Sequence, residues 1–154
     1  MKLIIRKKTL LKLLLRQNQQ VDAVAAVRAI DFLKFWFPLL GYSAIIFFLS
    51  SLPAKEITFT YSVSDKLLHV LEYSGLGFLC VRALMSRFSW PLMTLWKIAV
   101  LGCFIYGISD EIHQRFTPGR DASLLDLTAD LAGSMIGAGI YLIIRKRVKV
   151  NGSH

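Results

Sequence analysis

The chain has 154 residues, of which 55% are hydrophobic and 19% charged, and it carries a formal net charge of +9. That length allows one domain, and the hydrophobic content excludes an ordinary water-soluble globule. A positive charge of this size fits either nucleic acid or an acidic membrane surface.

Residues 1–34 are basic and partly apolar. Leu3, Ile4, Leu10, Leu11, Leu13, Leu14 and Leu15 alternate with Lys2, Arg6, Lys7, Lys8, Lys12 and Arg16. The pattern predicts a helix lying on the cytoplasmic membrane surface, with a disordered basic tail as the alternative. Gln17 to Gln20 reads as a break, and Val21 to Leu33 as a second helix running into the membrane. No small-residue cleavage site stands at a usual position, so a removable leader is not expected.

Phe35 to Leu52 carries no charge and is the first predicted span. Trp36 and Tyr42 are expected towards the headgroups. Pro38 falls in the first turn, where a missing N–H costs little. Residues 53–64 form a polar connection. Leu67 to Leu84 is the second span and contains His69, Glu72 and Tyr73. A short basic loop from Arg82 to Trp90 leads to the third span, Leu92 to Ile108. Residues 109–121 form a polar loop with a turn signal at Pro118-Gly119. Leu124 to Ile144 is the fourth span, stopped by Arg145, Lys146, Arg147 and Lys149. Cys80 and Cys103 lie in apolar runs and read as buried thiols.

The expected fold is therefore an all-α integral membrane protein with four transmembrane helices. A basic interfacial or cytoplasmic segment, 1–34, precedes a membrane domain, 35–145, and a basic cytoplasmic tail, 146–154. Four spans put both termini on one side. Eight Lys/Arg precede residue 35, Arg82, Arg87 and Lys97 flank the second loop, and four more follow residue 144. The positive-inside rule makes that side the cytoplasm and the location the inner (cytoplasmic) membrane. The net charge is thus a topology signal. No nucleic-acid motif is present.

Acidic groups collect at the opposite end. Residues four apart on a helix are rotated by only about 40°. Asp65, His69, Glu72 and Tyr73 therefore share one face of the second span. Tyr106, Asp110 and Gln114 share a face around the end of the third, and Ser123, Asp126, Asp130 and Gly133 share a face of the fourth. A lone charge in hydrocarbon costs roughly 3 kcal/mol on insertion scales. The stripes should therefore face one another and line an outward polar pocket. Interhelical hydrogen bonds holding a small bundle together are the bland alternative. Gly133-x-x-x-Gly137, with Gly75 and Gly77, reads as a close helix packing surface. Ser123 reads as the N-cap of the fourth span.

The chemistry open to such a pocket is acid–base, anion-binding or metal-binding. His69 beside Asp65 or Glu72 can act as a general base, with the carboxylate setting its tautomer. Arg120, with Lys66, can clamp a lipid phosphate. His69, His113 and the carboxylates can hold a divalent cation, although no tight ligand motif is present.

The motif Asp65-Lys66-x-x-His69-x-x-x-Tyr73, then Asp110-Glu111-x-x-Gln114-x-Phe116-x-Pro118-x-Arg120-x-x-Ser123-x-x-Asp126, then Gly133-x-x-x-Gly137, resembles the VanZ-like family of bacterial membrane proteins. Ser50-Ser51-x-Pro53 fits it too. The resemblance covers about residues 36–144. It implies a membrane location and an association with glycopeptide (teicoplanin) resistance, but no reaction. Members often carry Asn where this chain has Asp130. An ionised Asp130 should then find a partner such as His69 or Arg120, and a protonated one can stand in for the amide as a donor.

The resulting expectation is a protein that acts on or binds an envelope lipid or lipid-linked cell-wall component at the outer membrane face. The residues admit an enzyme and a non-catalytic lipid- or drug-binding version. In the first, His69, Glu111, Asp65 and Asp110 carry the chemistry. Arg120, Gln114, Tyr73, Asp126 and Asp130 bind. A proton- or cation-coupled transporter ranks lower, because the ionisable stripes occupy only the outer half.

Overall fold

A computed structural model describes residues 2–53 and 63–151, with side chains described for 16–53 and 65–148. All regular structure among the described residues is helical. Helix α1 is Lys2–Asp31, and a π-helical turn, Phe32–Trp36, joins it to α2, Phe37–Ser50. Then come α3, Val63–Arg87, α4, Leu92–Gln114, and α5, Leu124–Asn151. Four helical stretches are long and apolar enough to cross a membrane: Arg16–Ser50, Asp65–Arg87, Leu92–Gln114 and Leu124–Val148.

The expected break at Gln17 to Gln20 does not occur, because α1 runs through it. Glutamine is a good helix former, and neither Gly nor Pro interrupts residues 2–37. The first span also has no start at Phe35. Helix is continuous from α1 into α2, and Arg16–Ser50 is 35 residues long. At 1.5 Å per residue that is roughly 50 Å, well beyond a hydrocarbon core of about 30 Å. Its first half is exposed on all sides from Arg16 to Lys34. Interfacial placement of the side chains of residues 2–15 falls outside the described residues, as does nearly all of the polar connection 53–64.

Pro38 explains the π turn. Inside a continuous helix it lacks the N–H that would reach the Lys34 carbonyl, and its ring crowds that carbonyl. The widened turn relieves both, and the Phe37 N–H bonds to the Phe32 carbonyl instead. The Arg82 guanidinium lies 4.8 Å from the Phe35 ring centroid and fastens this turn to α3. Tyr42 is half-buried against α3, in the notch left by Gly75.

The core is made by α3, α4 and α5, with α2 laid against α3 and α4. One apolar cluster joins Val81, Ala99, Val100, Ala138 and Leu142. A second joins Ile46, Tyr73, Leu76 and Cys103, with Cys80 against both. Both cysteines are free thiols.

Helices α3 and α5 run parallel and touch backbone to backbone. A Cβ placed on Gly133 would collide with the Val70 carbonyl, and one on Gly137 with the Ser74 carbonyl. A Cβ on Gly77 would strike the Ser134 backbone in the same way. Ser74 Oγ donates to the Gly133 carbonyl at 3.1 Å across this seam. The glycine surface read from the sequence is thus the tightest contact in the bundle.

The α4–α5 loop is shorter than expected. Ser109 to Gln114 stay helical, so the loop begins at Arg115 rather than at 109. The polar side chains of that last stretch of α4 find partners on neighbouring helices, so the helix need not end to hydrate them. Within the loop the Arg120 N–H bonds to the Thr117 carbonyl at 3.1 Å. Pro118 and Gly119 occupy the middle of this turn, and Gly119 has φ 78°, as a type II turn requires.

Gly137→Val is expected to overpack the seam and lower stability in detergent by about 1–3 kcal/mol or more. Gly102→Ala, where nothing stands within 4 Å of the added carbon, should leave it unchanged. Thermal unfolding of the two variants, followed by loss of the monodisperse peak on size exclusion, checks the difference.

Candidate functional site

The C-termini of α2 and α4 and the N-termini of α3 and α5 meet at one end of the bundle. The parallel seam sets the register there. Each residue of α3 stands beside a residue of α5 about sixty positions on. His69 Nδ1 lies 2.8 Å from Asp130 Oδ1, and one turn nearer the rim Lys66 contacts Asp126 directly. Asp65 adds its carboxylate 3.6 Å from Lys66 Nζ. His69, Asp126 and Asp130 are buried, with Asp130 only 1% exposed. Asp130, rather than Asp65 or Glu72, therefore orients the imidazole. Of the two partners foreseen for Asp130, the structure brings His69.

Helix α4 divides its polar residues between two neighbours. Tyr106, Asp110, His113 and Gln114 turn towards α2. Tyr106 OH donates to the Ser43 carbonyl at 2.7 Å. Ser50 Oγ donates to Asp110 Oδ1 at 2.5 Å, and Gln114 Nε2 donates to Asp110 Oδ2 at 3.0 Å. His113 Nε2 lies 2.9 Å from Ser51 Oγ, and its ring stacks on Phe47 with centroids 4.4 Å apart. Carbonyls at and just beyond the C-terminus of α2 lack the full set of helical partners, although the Leu49 carbonyl also accepts the Leu52 N–H at 3.2 Å. Arg120 fills that need, donating from Nε to the Leu52 carbonyl at 3.2 Å and from Nη2 to the Leu49 carbonyl at 3.3 Å.

Glu111 and Gly107 turn the other way, towards α3 and α5. Glu111 Oε2 accepts the Ser123 N–H at 2.7 Å, and Ser123 Oγ in turn accepts the Asp126 N–H at 3.4 Å. Ser123 is thus the N-cap of α5, and Glu111 caps the cap. Gly107 makes room for the site. A Cβ there would lie 3.1 Å from Asp130 Oδ2 and 3.4 Å from Tyr73 Cε1.

Three buried polar atoms have no hydrogen-bond partner among the described residues: Tyr73 OH, Glu111 Oε1 and Asp130 Oδ2. Two groups of side chains have the spacing of a metal site. His69, Glu111 and Asp130 offer ligand atoms all within 4.8 Å of one another, and so do Asp65, His69 and Asp126.

The expected stripes of α3 and α5 converge in a buried cluster, while that of α4, Tyr106, Asp110 and Gln114, turns to α2 and Glu111 joins the cluster in its place. His69, Tyr73, Glu111, Asp126 and Asp130 form its α3–α5 side. Asp65 and Lys66 stand at its rim, and Glu72 is half-buried on the same face of α3. Asp110 and Gln114 belong to the α2 side. His113 is held by α2 and takes no part in either metal-like group. Arg120 sits on backbone carbonyls and makes no ion pair with Asp110, Glu111 or Asp126 among the described contacts.

Ser50 and Ser51, which in the sequence are only part of the motif ending the first span, hold Asp110 and His113. Their signal was their place at the end of the first span, level with the other stripes. A run of hydroxyls there closes the cluster from α2.

A family model described as VanZ/LLP1 matches residues 11–145. The chain belongs to that family. The match reaches further towards the N-terminus than the motif resemblance, which begins near residue 36, and so takes in most of α1. No curated protein matches the chain, and no solved structure matches it.

Lys66→Met would leave the buried Asp126 carboxylate without its cation. The lysine is partly exposed, so the expected loss lies below the 3–5 kcal/mol of a fully buried pair, at about 2 kcal/mol. The double change K66M/D126N should recover most of it, because no unpaired charge remains. A thermodynamic cycle on the four proteins reads the coupling directly.

Proposed function

With a multi-pass membrane protein of the VanZ/LLP1 family as premise, we propose that the polar end of the bundle lies at the outer face of the cytoplasmic (inner) membrane. There it receives the headgroup of an envelope lipid or a lipid-linked cell-wall component. One observation carries this reading. The buried ionisable cluster is confined to a single end of an otherwise apolar bundle, where four helix ends meet. Asp126 and Asp130 occupy the first two turns of α5, within about 10 Å of its start. That is the depth of headgroups and the first methylenes. Large apolar side chains at the same end, Phe116 at 82% and Leu124 at 81% exposure, suit contact with the acyl chains beside that headgroup.

Orientation follows from charge. Most Lys/Arg lie at the end that holds both termini, and the positive-inside rule puts that end in the cytoplasm. The acidic cluster then faces outward.

The residues have separate tasks. His69, oriented by Asp130, takes or gives a proton, as a general base held by a carboxylate does. Glu111 stands beside it as a second acid–base group. Arg120 spends two of its five N–H donors on carbonyls, and the others suit phosphate oxygens. Asp65, Tyr73, Asp110, Gln114, Asp126 and Lys66 shape and neutralise the surroundings. A changed envelope lipid would alter how a lipophilic glycopeptide anchors in the membrane, which would connect this chemistry with the family's teicoplanin association. The second reading, binding without turnover, uses the same residues. The buried His69–Asp130 pair favours catalysis over it.

Lipid profiles of cells with and without the protein separate the two. A headgroup species that appears with the wild type and vanishes with His69→Ala supports catalysis. An unchanged profile, with protection retained, supports binding. Orientation is tested by cysteine labelling in a Cys80→Ala, Cys103→Ala background. Asp121→Cys should react with an impermeant reagent added outside intact cells, and Ser89→Cys only after lysis. The reverse pattern would overturn the outward site.

A further inference from the structure

The cluster gathers buried acidic groups around a single imidazole. Glu111 is 6% exposed and Asp130 1%, and each presents a carboxylate oxygen without a hydrogen-bond partner. His69, at 6% exposure, completes a set of ligand atoms within 4.8 Å of one another. Among the described contacts neither Lys66 nor Arg120 pairs with Glu111 or Asp130. Lys66 contacts Asp126 and Asp65, and Arg120 holds the Leu49 and Leu52 carbonyls. Two carboxylates, a neutral imidazole and a divalent cation sum to zero. Buried charge is tolerated when it is paired or coordinates a metal.

We propose that His69, Glu111 and Asp130 bind one divalent transition-metal cation of the zinc or manganese type. The ligand set selects this class. Imidazole nitrogen suits zinc and iron-group ions, carboxylate oxygen suits manganese, and calcium or magnesium prefer oxygen alone. Ligand distances of about 2.1 Å mean that donors around one ion lie no more than about 4 Å apart. The three side chains need draw in by less than about 1 Å to meet that limit. Three protein ligands leave a fourth position for water or a substrate oxygen. Tyr73 OH, also without a partner, borders the same space across Gly107. The alternative set, Asp65, His69 and Asp126, is the weaker choice because Lys66 already neutralises Asp126.

The site is the same cluster as the proposed headgroup site, but the inference does not rest on that reading. Metal content decides this one, and lipid profile decides the other. The test uses the full chain, purified in detergent without chelator and desalted, with metal measured by inductively coupled plasma mass spectrometry. EDTA-treated protein is then titrated with Zn²⁺ alone and with Mn²⁺ alone, reading uptake and thermal stability. Wild type is expected to hold or take up close to one equivalent and to gain stability on uptake. Glu111→Gln keeps an oxygen for the Ser123 N–H and should remain folded by circular dichroism. With Asp130→Asn, it should weaken uptake by about tenfold or more. Asp126→Asn should bind as wild type does. No uptake by wild type overturns the site, as does wild-type affinity in folded Glu111→Gln. Loss of binding in Asp126→Asn with retention in Glu111→Gln overturns it too, in favour of the other ligand set.

Discussion

The close approach of α3 and α5 is the contact on which the polar end depends. Gly77, Gly133 and Gly137 remove the side chains that would otherwise hold the two backbones apart. In a bilayer no hydrophobic force draws helices together, so packing of this kind supplies the association. Its consequence is chemical as well as mechanical. Parallel helices in backbone contact bring side chains at matching heights within hydrogen-bond reach. His69 and Asp130 meet at 2.8 Å, and Lys66 meets Asp126. Bulkier residues on this seam would widen it and separate both pairs. The glycines that read as packing residues therefore also set the geometry of the ionisable ones.

The polar groups around that seam fall into two populations. On the α2 side the network is closed. Asp110 has Ser50 and Gln114, His113 has Ser51 and Phe47, and the C-terminal carbonyls of α2 have Arg120. Such a network behaves as interhelical glue and fixes where α2 ends against α4. On the α3–α5 side the network is open. Tyr73, Glu111 and Asp130 each keep a buried polar atom without a partner among the described residues. Each such atom costs about 1–3 kcal/mol, and more when the group is charged. Packing alone accounts for the closed network, and the interhelical-bond reading of the polar stripes holds there.

Apolar run length located three of the four membrane-length helices closely, but it started the first at Phe35 where the helical stretch begins at Arg16, and helical periodicity put the polar side chains of α3 and α5 on facing surfaces. Both signals are local, and both survive folding because hydrocarbon enforces them. Partners across helices are not local. Nothing in the spacing of α4 says that Asp110 turns to α2 while Glu111, the next residue, turns to α5. That follows from where Gly107 opens a space and where Ser50 stands. The same limit moved the loop boundary. Ser109 to Gln114 looked like solvated loop because they are polar, yet they remain helical because their partners are protein. Pro38 misled in the opposite sense. It looked like the start of a helix, whereas a π turn absorbs it within a longer one.

Glu111 joins these threads. Through Oε2 it caps the N-terminus of α5 at Ser123, and the same end of α5 carries Asp126 and Asp130. The carboxylate is favoured there by the helix dipole, whose positive end lies at the N-terminus. The same carboxylate has an oxygen within 4.8 Å of ligand atoms of His69 and Asp130. One side chain thus ties the position of α5 to the contents of the cluster. A cation or polar atom arriving at that oxygen pulls on the same carboxylate that holds the α5 cap. The loop from Arg115 to Ser123 connects the two helices at this point, and Arg120 anchors its other side to α2.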